Sequence, residues 1–160
     1  MATKASTFTK YATTSVSGDC AGDVITNDYF VDVAAADIVL NDVIDLGILP
    51  ANHTVVDAIL IADDLDTNGT PTVALDVGIM SGTPGDTTSV RTCGSEFFAA
   101  ATTGQAGGVL RMTKKEGFLV KPTAADRSIG VKFQTAAATA AAGRIRVRVL
   151  MVPASPEIQF

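Results

Sequence analysis

The segment RIRVRVLMV at residues 144–152 alternates without a break. Ile145, Val147, Val149 and Met151 fall on one face of an extended chain, and Arg144, Arg146 and Arg148 fall on the other. Successive side chains of a strand point to opposite faces, whereas a helix gathers residues three and four apart. A helix would therefore mix these arginines with the apolar residues. A strand with one face on a core and one toward solvent separates them.

The same period recurs along the chain. In SIGVKF at 128–133, Ile129, Val131 and Phe133 share a face. In TVALDVGIM at 72–80, Val73, Leu75, Val77 and Ile79 oppose Thr72, Ala74, Asp76 and Gly78, which predicts a half-buried strand. In TVVDAILIAD at 54–63, Val55, Asp57, Ile59 and Ile61 share one face and Val56, Ala58, Leu60 and Ala62 the other. Both faces are mostly apolar, so this strand is expected to be central and covered twice. YFVDV at 29–33, DVIDLGIL at 42–49 (stopped by Pro50) and GFLVKP at 117–122 complete the strand candidates. EFFAAATTG at 96–104 fits either a short helix capped by Ser95 or a strand, with Phe97 and Phe98 at one end of the core.

Between these segments, 81–95 reads as a long surface loop, and QTAAATAAAG at 134–143 as a connection between neighbouring strands. Many short strands separated by turn signals predict an all-β single domain, an antiparallel β-sandwich or jelly roll. The 160 residues suit one domain that buries roughly 70% of its unfolded surface. The expected division is an arm over 1–28, flexible or ordered on a neighbour through Phe8 and Tyr11, a sandwich over 29–153, and a short tail over 154–160.

Charge narrows the function. Charged residues are 18% of the chain, below the roughly 25% usual for soluble domains, which suggests surface covered by a partner. The net charge of −5 argues against nucleic-acid binding. Residues 1–80 carry twelve Asp and two Lys, a net −10, and residues 81–160 carry ten basic and five acidic groups, a net +5. These halves complement each other within one fold or between subunits. The first residues lack the apolar run of a signal peptide, and no run reaches the ~18 apolar residues of a membrane span. A soluble protein of a reducing compartment, with no membrane partner, is expected.

No residue set points to catalysis or to a cofactor. Asp64, Asp66, Asn68 and Gly69 follow the D-x-D-x-N-G order that opens a calcium loop, but position twelve is Leu75 where a bidentate acid is needed. The flanks are strands, so 64–71 is expected to be the turn of a hairpin, with Asn68-Gly69 supplying positive φ. His53 has no G-x-S-x-G partner, and Cys20, His53 and Cys93 match no zinc spacing; free thiols and an ordinary surface histidine are expected. The absence of tryptophan and the presence of only two tyrosines weigh against a glycan site despite the abundant Asp. Arg144, Arg146 and Arg148 allow two readings: pairing across strands with acids such as Asp57 or Asp76, or docking on an acidic partner.

Three segments together, DVIDLGILPANHTVVDAILIADDLD, TPTVALDVGIMSG and AADRSIGVKFQTAAATAAAGRIRVRVLMV, cover well over half the chain and resemble small virion structural proteins of tailed bacteriophages. The subtype they look like is the capsid decoration, or cement, protein. That resemblance implies a non-enzymatic component made in the bacterial host cytoplasm and located on the capsid surface of the virion. It implies binding to the major capsid protein or another virion protein, as a trimer or dimer, with terminal arms clipping neighbours. A tail, baseplate or head–tail junction component is the alternative, with the 81–95 loop as its contact surface.

Overall fold

The computed structural model describes residues 3–6 and 24–154. The strands are β1 Thr3–Ala5, β2 Ile25–Val33, β3 Val43–Leu49, β4 His53–Ala62, β5 Ala74–Ile79, β6 Phe98–Ala101, β7 Gly108–Arg111, β8 Arg127–Thr135 and β9 Gly143–Pro153. They form two sheets, ordered β1-β3-β8-β5-β6 and β2-β9-β4-β7. Within them β2 pairs with β9, β3 with β8, β4 with β7 and β5 with β6, all antiparallel. These pairings nest, first with last, like one long hairpin. Rolling that hairpin into two layers also brings β4 beside β9 and β5 beside β8. The expected all-β sandwich, wound in jelly-roll fashion, is the observed fold. β1 stands outside the nest and pairs in parallel with β3.

The core lies between the sheets. From β9, Ile145, Val147, Val149 and Met151 face inward, and from β8, Ile129, Val131 and Phe133, all fully buried as the alternation requires. Leu75 and Val77 of β5, Leu60 of β4 and Phe97 complete its centre. At about 25 cal/mol per Å², each such side chain contributes roughly 1.5–3 kcal/mol by leaving water.

Several local expectations change. The 64–71 connection is no hairpin: β4 and β5 lie in different sheets, and Asn68 and Gly69 are absent from the positive-φ residues. An Asn-Gly pair signals a turn but does not say which sheet receives the next strand. The 134–143 connection likewise passes between sheets, from β8 to β9. EFFAAATTG takes its strand option over Phe98–Ala101 and ends in a 3-10 turn at Thr103–Gln105. GFLVKP is not a strand; it begins inside a single helical turn, Lys115–Phe118. Gly117 packs closely within that turn: a Cβ there would lie 3.0 Å from the Glu96 carbonyl oxygen and press on Met112. In β4 a bulge between Val55 and Asp57 breaks the parity, so Val55 turns inward with Ala58, Leu60 and Ala62. β5 is buried on both faces along most of its length instead of half-buried.

Of the segment read as an arm, residues 3–5 lie in β1 and 25–28 in β2. Residues 7–23 lie outside the described residues, as does the tail beyond Ala154.

Candidate functional site

Three groups of side chains carry the polar chemistry, and a fourth is apolar. The first is the outer face of the β2-β9-β4-β7 sheet. Register places Asp28 across from Arg148, Phe30 across from Arg146 and Asp32 across from Arg144. Arg144 donates to both Asp32 oxygens, at 2.7 and 2.9 Å, a two-pronged match of guanidinium to carboxylate. Arg146 and Arg148 each donate to Asp28 Oδ2 at 3.0 Å. The Arg144 and Arg146 guanidinium carbons lie 4.6 and 5.7 Å from the Phe30 ring centroid. The hydrogen bond from Arg144 holds the Asp32 carboxyl below its usual range. Pairing across strands thus occurs, but with the acids of β2. Asp57 instead accepts from Arg111 Nε at 2.6 Å, and Asp76, in the other sheet, accepts the Ala100 N–H at 2.8 Å. On the opposite flank of β9, the half-buried Ile59 and Ile61 stand in register with Arg148 and Arg146. This accounts for the apolar character of both faces of β4.

The second group centres on Asp66. Its Oδ2 accepts the backbone N–H groups of Thr72 (2.7 Å), Val73 (3.2 Å) and Ala138 (2.9 Å), and its Oδ1 accepts those of Thr139 (2.8 Å) and Asn68 (3.4 Å). Asp64 Oδ1 accepts the Asp66 N–H and Asn68 Oδ1 accepts the Thr70 N–H, at 3.0 and 2.9 Å. The oxygens that a calcium loop would aim at an ion are aimed at the chain itself. The side chains of D-x-D-x-N-G are a joint that ties the β4–β5 connection to the β8–β9 connection. Among the described residues no group of three or more His, Cys, Asp or Glu converges on a common point.

Burial raises the Asp66 pKa, but the N–H donors of Thr139, Thr72, Ala138 and Val73 outweigh it and hold the carboxyl well below the ordinary range. A folded pKa below the unfolded value gives stability that is complete above the unfolded pKa of about 3.9 and is lost as pH falls through the folded one. Asp66→Asn keeps the size but presents an NH2 to backbone donors. It is expected to lower the melting temperature by roughly 5–10 °C at pH 7, with the gap from wild type narrowing steadily below about pH 4. Calorimetric scans from pH 2 to 8 check this; a gap independent of pH sinks the assignment.

The third group pins the 81–95 loop. Arg91 and Asp45 are 1% and 0% exposed and form an ion pair in the interior. Arg91 also donates to the Ser81 carbonyl at 2.7 Å and to Ser128 Oγ at 2.9 Å, while Ser128 Oγ and the Gly85 N–H donate to Asp45 Oδ2 at 3.0 and 2.8 Å. The loop expected on the surface is fastened to β3 and β8 through a buried guanidinium and through the Gly85 N–H. Sequence reasoning passed over this site, although Asp45, a lone acid in the apolar strand VIDLGIL, was its signal.

His53 and Cys93 do not form a reactive pair. His53 Nδ1 lies 2.7 Å from the Ala51 carbonyl oxygen. Burial pushes the Cys93 thiol up to about 12, so it stays protonated at neutral pH, and its Sγ donates to the Gly94 carbonyl. Phe8, Tyr11 and Cys20 lie outside the described residues.

The fourth group is exposed and apolar. β7 is the outer strand of its sheet, and beyond it the chain continues down the flank of β4: the Met112 N–H donates to the Ala58 carbonyl, Thr54 Oγ1 to the Val120 carbonyl and the Asn52 N–H to the Thr123 carbonyl, at 2.8 to 2.9 Å. Val109 and Leu119, 69% and 61% exposed, stand out along this edge with Leu110 and Phe118. Exposed apolar residues spaced along one edge suit a contact surface.

No protein-family model matches the chain, and no curated protein matches it. Solved structures do. A chain in the capsid of Ralstonia phage GP4 is 42% identical, superposes with a TM-score of 0.90, and is matched over 96% of this chain and 99% of its own length. This protein belongs to that family of bacteriophage capsid structural proteins. A chain of the cyanophage Pam1 capsid asymmetric unit is 26% identical, with a TM-score of 0.63 over 89% of this chain and 94% of the other. A chain of the acidic stable capsid structure of Helicobacter pylori bacteriophage KHP30 is 15% identical, with a TM-score of 0.50 over 83% and 94%; it shares the fold. For a capsid structural protein, the site to seek is a contact surface, and the apolar edge of β7 is one that the described residues present.

Proposed function

We propose that this capsid-family protein binds the outside of the phage shell and stabilises it, as a decoration protein. The observation that carries the reading is the match along nearly the whole of both chains to a chain in the Ralstonia phage GP4 capsid, so that the small sandwich is itself the capsid component. Charge supports the outer location. The chain is net −5, and its basic stripe is matched by Asp28 and Asp32 in the same sheet, which suits a surface turned away from packaged DNA. The edge carrying Val109, Leu110, Phe118 and Leu119 supplies the apolar contact with a shell subunit.

Binding that favours only the assembled shell stabilises it by mass action, and many copies multiply a modest contact. Shells assembled without this protein are expected to take up purified chain over their whole outer surface and to rupture at a higher temperature. Val109→Asp with Leu119→Asp should weaken uptake at least tenfold with the fold retained, because each charge must be desolvated in the contact. Electron microscopy of labelled chain on virions checks the placement. Label confined to the tail or to one vertex supports the tail or junction alternative and ends this proposal.

A further inference from the structure

The Asn68-Gly69 pair makes no hairpin, and its chemistry goes unused in the joint at Asp66. Both residues are exposed, in the connection between β4 and β5. Asn68 Oδ1 accepts the Thr70 N–H at 2.9 Å, and Asn68 Nδ2 donates to Thr139 Oγ1 at 3.0 Å. An oxygen that accepts from the amide two residues on folds its carboxamide over the intervening peptide, here that of Gly69. The Gly69 N–H has no hydrogen-bond partner among the described residues, and a Cβ at Gly69 would meet nothing within 4 Å. A carboxamide carbon is thus turned toward an open, uncommitted backbone nitrogen.

The hydrogen bonds around that carboxamide suit an intramolecular attack. The Gly69 nitrogen gives its proton to hydroxide and bonds to Asn68 Cγ, and the displaced carbonyl electron pair settles on Oδ1. That oxygen already accepts the Thr70 N–H, a donor aimed where the charge develops. The Cγ–Nδ2 bond then breaks as the carbonyl re-forms. The nitrogen leaves as ammonia, taking a proton from the Thr139 hydroxyl, which recovers one from water. A five-membered succinimide remains. Water opens it at either carbonyl, giving aspartate or, with the main chain rerouted through the side chain, isoaspartate. Nothing is oxidised or reduced, and the sum is one water consumed and one ammonia released. We propose that Asn68 is a self-modification site, converted in the folded protein through Gly69.

The consequence falls on the joint. Either product adds a carboxylate beside Asp66, whose Oδ1 accepts the Asn68 N–H. Isoaspartate also lengthens the main chain just before Thr72 and Val73, which donate to Asp66 Oδ2. Conversion therefore loosens, with age, the tie between the β4–β5 and β8–β9 connections.

Full-length protein is held warm in mildly alkaline buffer, sampled over weeks and digested. Mass spectrometry scores each asparagine peptide for exchange of NH2 for OH, and electron-transfer fragmentation separates the two products. Asn27, Asn41 and Asn52, followed by Asp, Asp and His, are internal controls. Asn68 is expected to convert at least about tenfold faster than any of them. Gly69→Ala has open space for its methyl and no positive φ to strain it, so the variant folds. It should slow conversion about tenfold, because the methyl shields the nitrogen and narrows the backbone's range. The same chain in denaturant isolates the contribution of the loop geometry, and folded protein should convert at least as fast. A folded rate below about a tenth of the unfolded one, an Asn68 rate no higher than the controls, or an unchanged rate in Gly69→Ala overturns the proposal.

Discussion

Arg91→Leu is expected to destabilise the fold by about 3–5 kcal/mol, the range for removing one partner of a buried ion pair. The replacement leaves the Asp45 carboxylate in the interior without its guanidinium, while the Ser128 hydroxyl and the Gly85 N–H still donate to it. It also removes the bonds from Arg91 to the Ser81 carbonyl and to Ser128, so the 81–95 loop loses its guanidinium link to β8 and keeps the Gly85 N–H bond to Asp45 of β3. Two measurements follow. Urea unfolding should show a lower midpoint, and limited proteolysis of the folded variant should cut between residues 82 and 90 where the wild type resists. The double variant Arg91→Leu with Asp45→Leu should recover most of the lost stability, because the uncompensated charge is gone, yet keep the cleavable loop. If the double variant is no more stable than the single one, the cost lies in packing and the electrostatic account fails. The same experiment bears on function, since a loop so fastened is a rigid part of the capsid protein's surface.

The regular strands were legible because burial on one face imposes a period of two that composition alone cannot mimic. β8 and β9 show this most plainly: every inward residue predicted from SIGVKF and RIRVRVLMV is fully buried. What the period cannot convey is which sheet a strand joins. The connections after β4 and after β8 both looked like links between paired strands, but both cross between the layers, where the Asp66 carboxylate ties them together by accepting backbone donors from each. β1 and β7 are too short, at three and four residues, to display any period. β7 is also exposed throughout and enters from Gly107 and Gly108 at positive φ, so its pairing comes wholly from the edge of β4.

The polar sites divided along similar lines. The arginine stripe was visible, and its acids were sought on the wrong strands because neither strand order nor register was known. Arg91 sits among small polar residues in SVRTCG, where no local pattern distinguishes a buried guanidinium from a solvated one. Its partner did carry a signal, since an acid flanked by Ile44 and Leu46 in a strand buried on both faces must meet a cation or a donor inside. The apolar edge was illegible for a related reason. Val109, Leu110, Phe118 and Leu119 look like core residues until the topology places them outside.

Gly47→Ala is expected to cost at least 3 kcal/mol, beyond the usual range for added volume in a core. The reason is a close approach between the two sheets. Tyr29 of β2 lays its ring flat against Gly47 of β3, and a Cβ at that position would fall well inside van der Waals contact of the ring carbons Cγ, Cδ2 and Cε2. The ring cannot swing aside, because its hydroxyl donates to the Ile48 carbonyl at 2.6 Å and accepts from Asn27 Nδ2 at 2.9 Å. Burial above all pushes the Tyr29 pKa up to about 12, so the hydroxyl remains a donor across the working pH range. Neither does β3 yield, since the bulge between Asp45 and Gly47 is fixed by β8 on one side and by the Arg91 ion pair on the other. Tyr29→Ala alone should cost about 3–5 kcal/mol for the emptied volume and the lost hydrogen bonds. In the Tyr29→Ala background, however, the methyl of Gly47→Ala enters vacated space, and its added cost should fall to about 1 kcal/mol or less. A double-mutant cycle by denaturant unfolding reads this as a coupling of 2 kcal/mol or more between the sheets. Additive losses would mean that the glycine serves the backbone of the bulge and not the seat of the tyrosine ring.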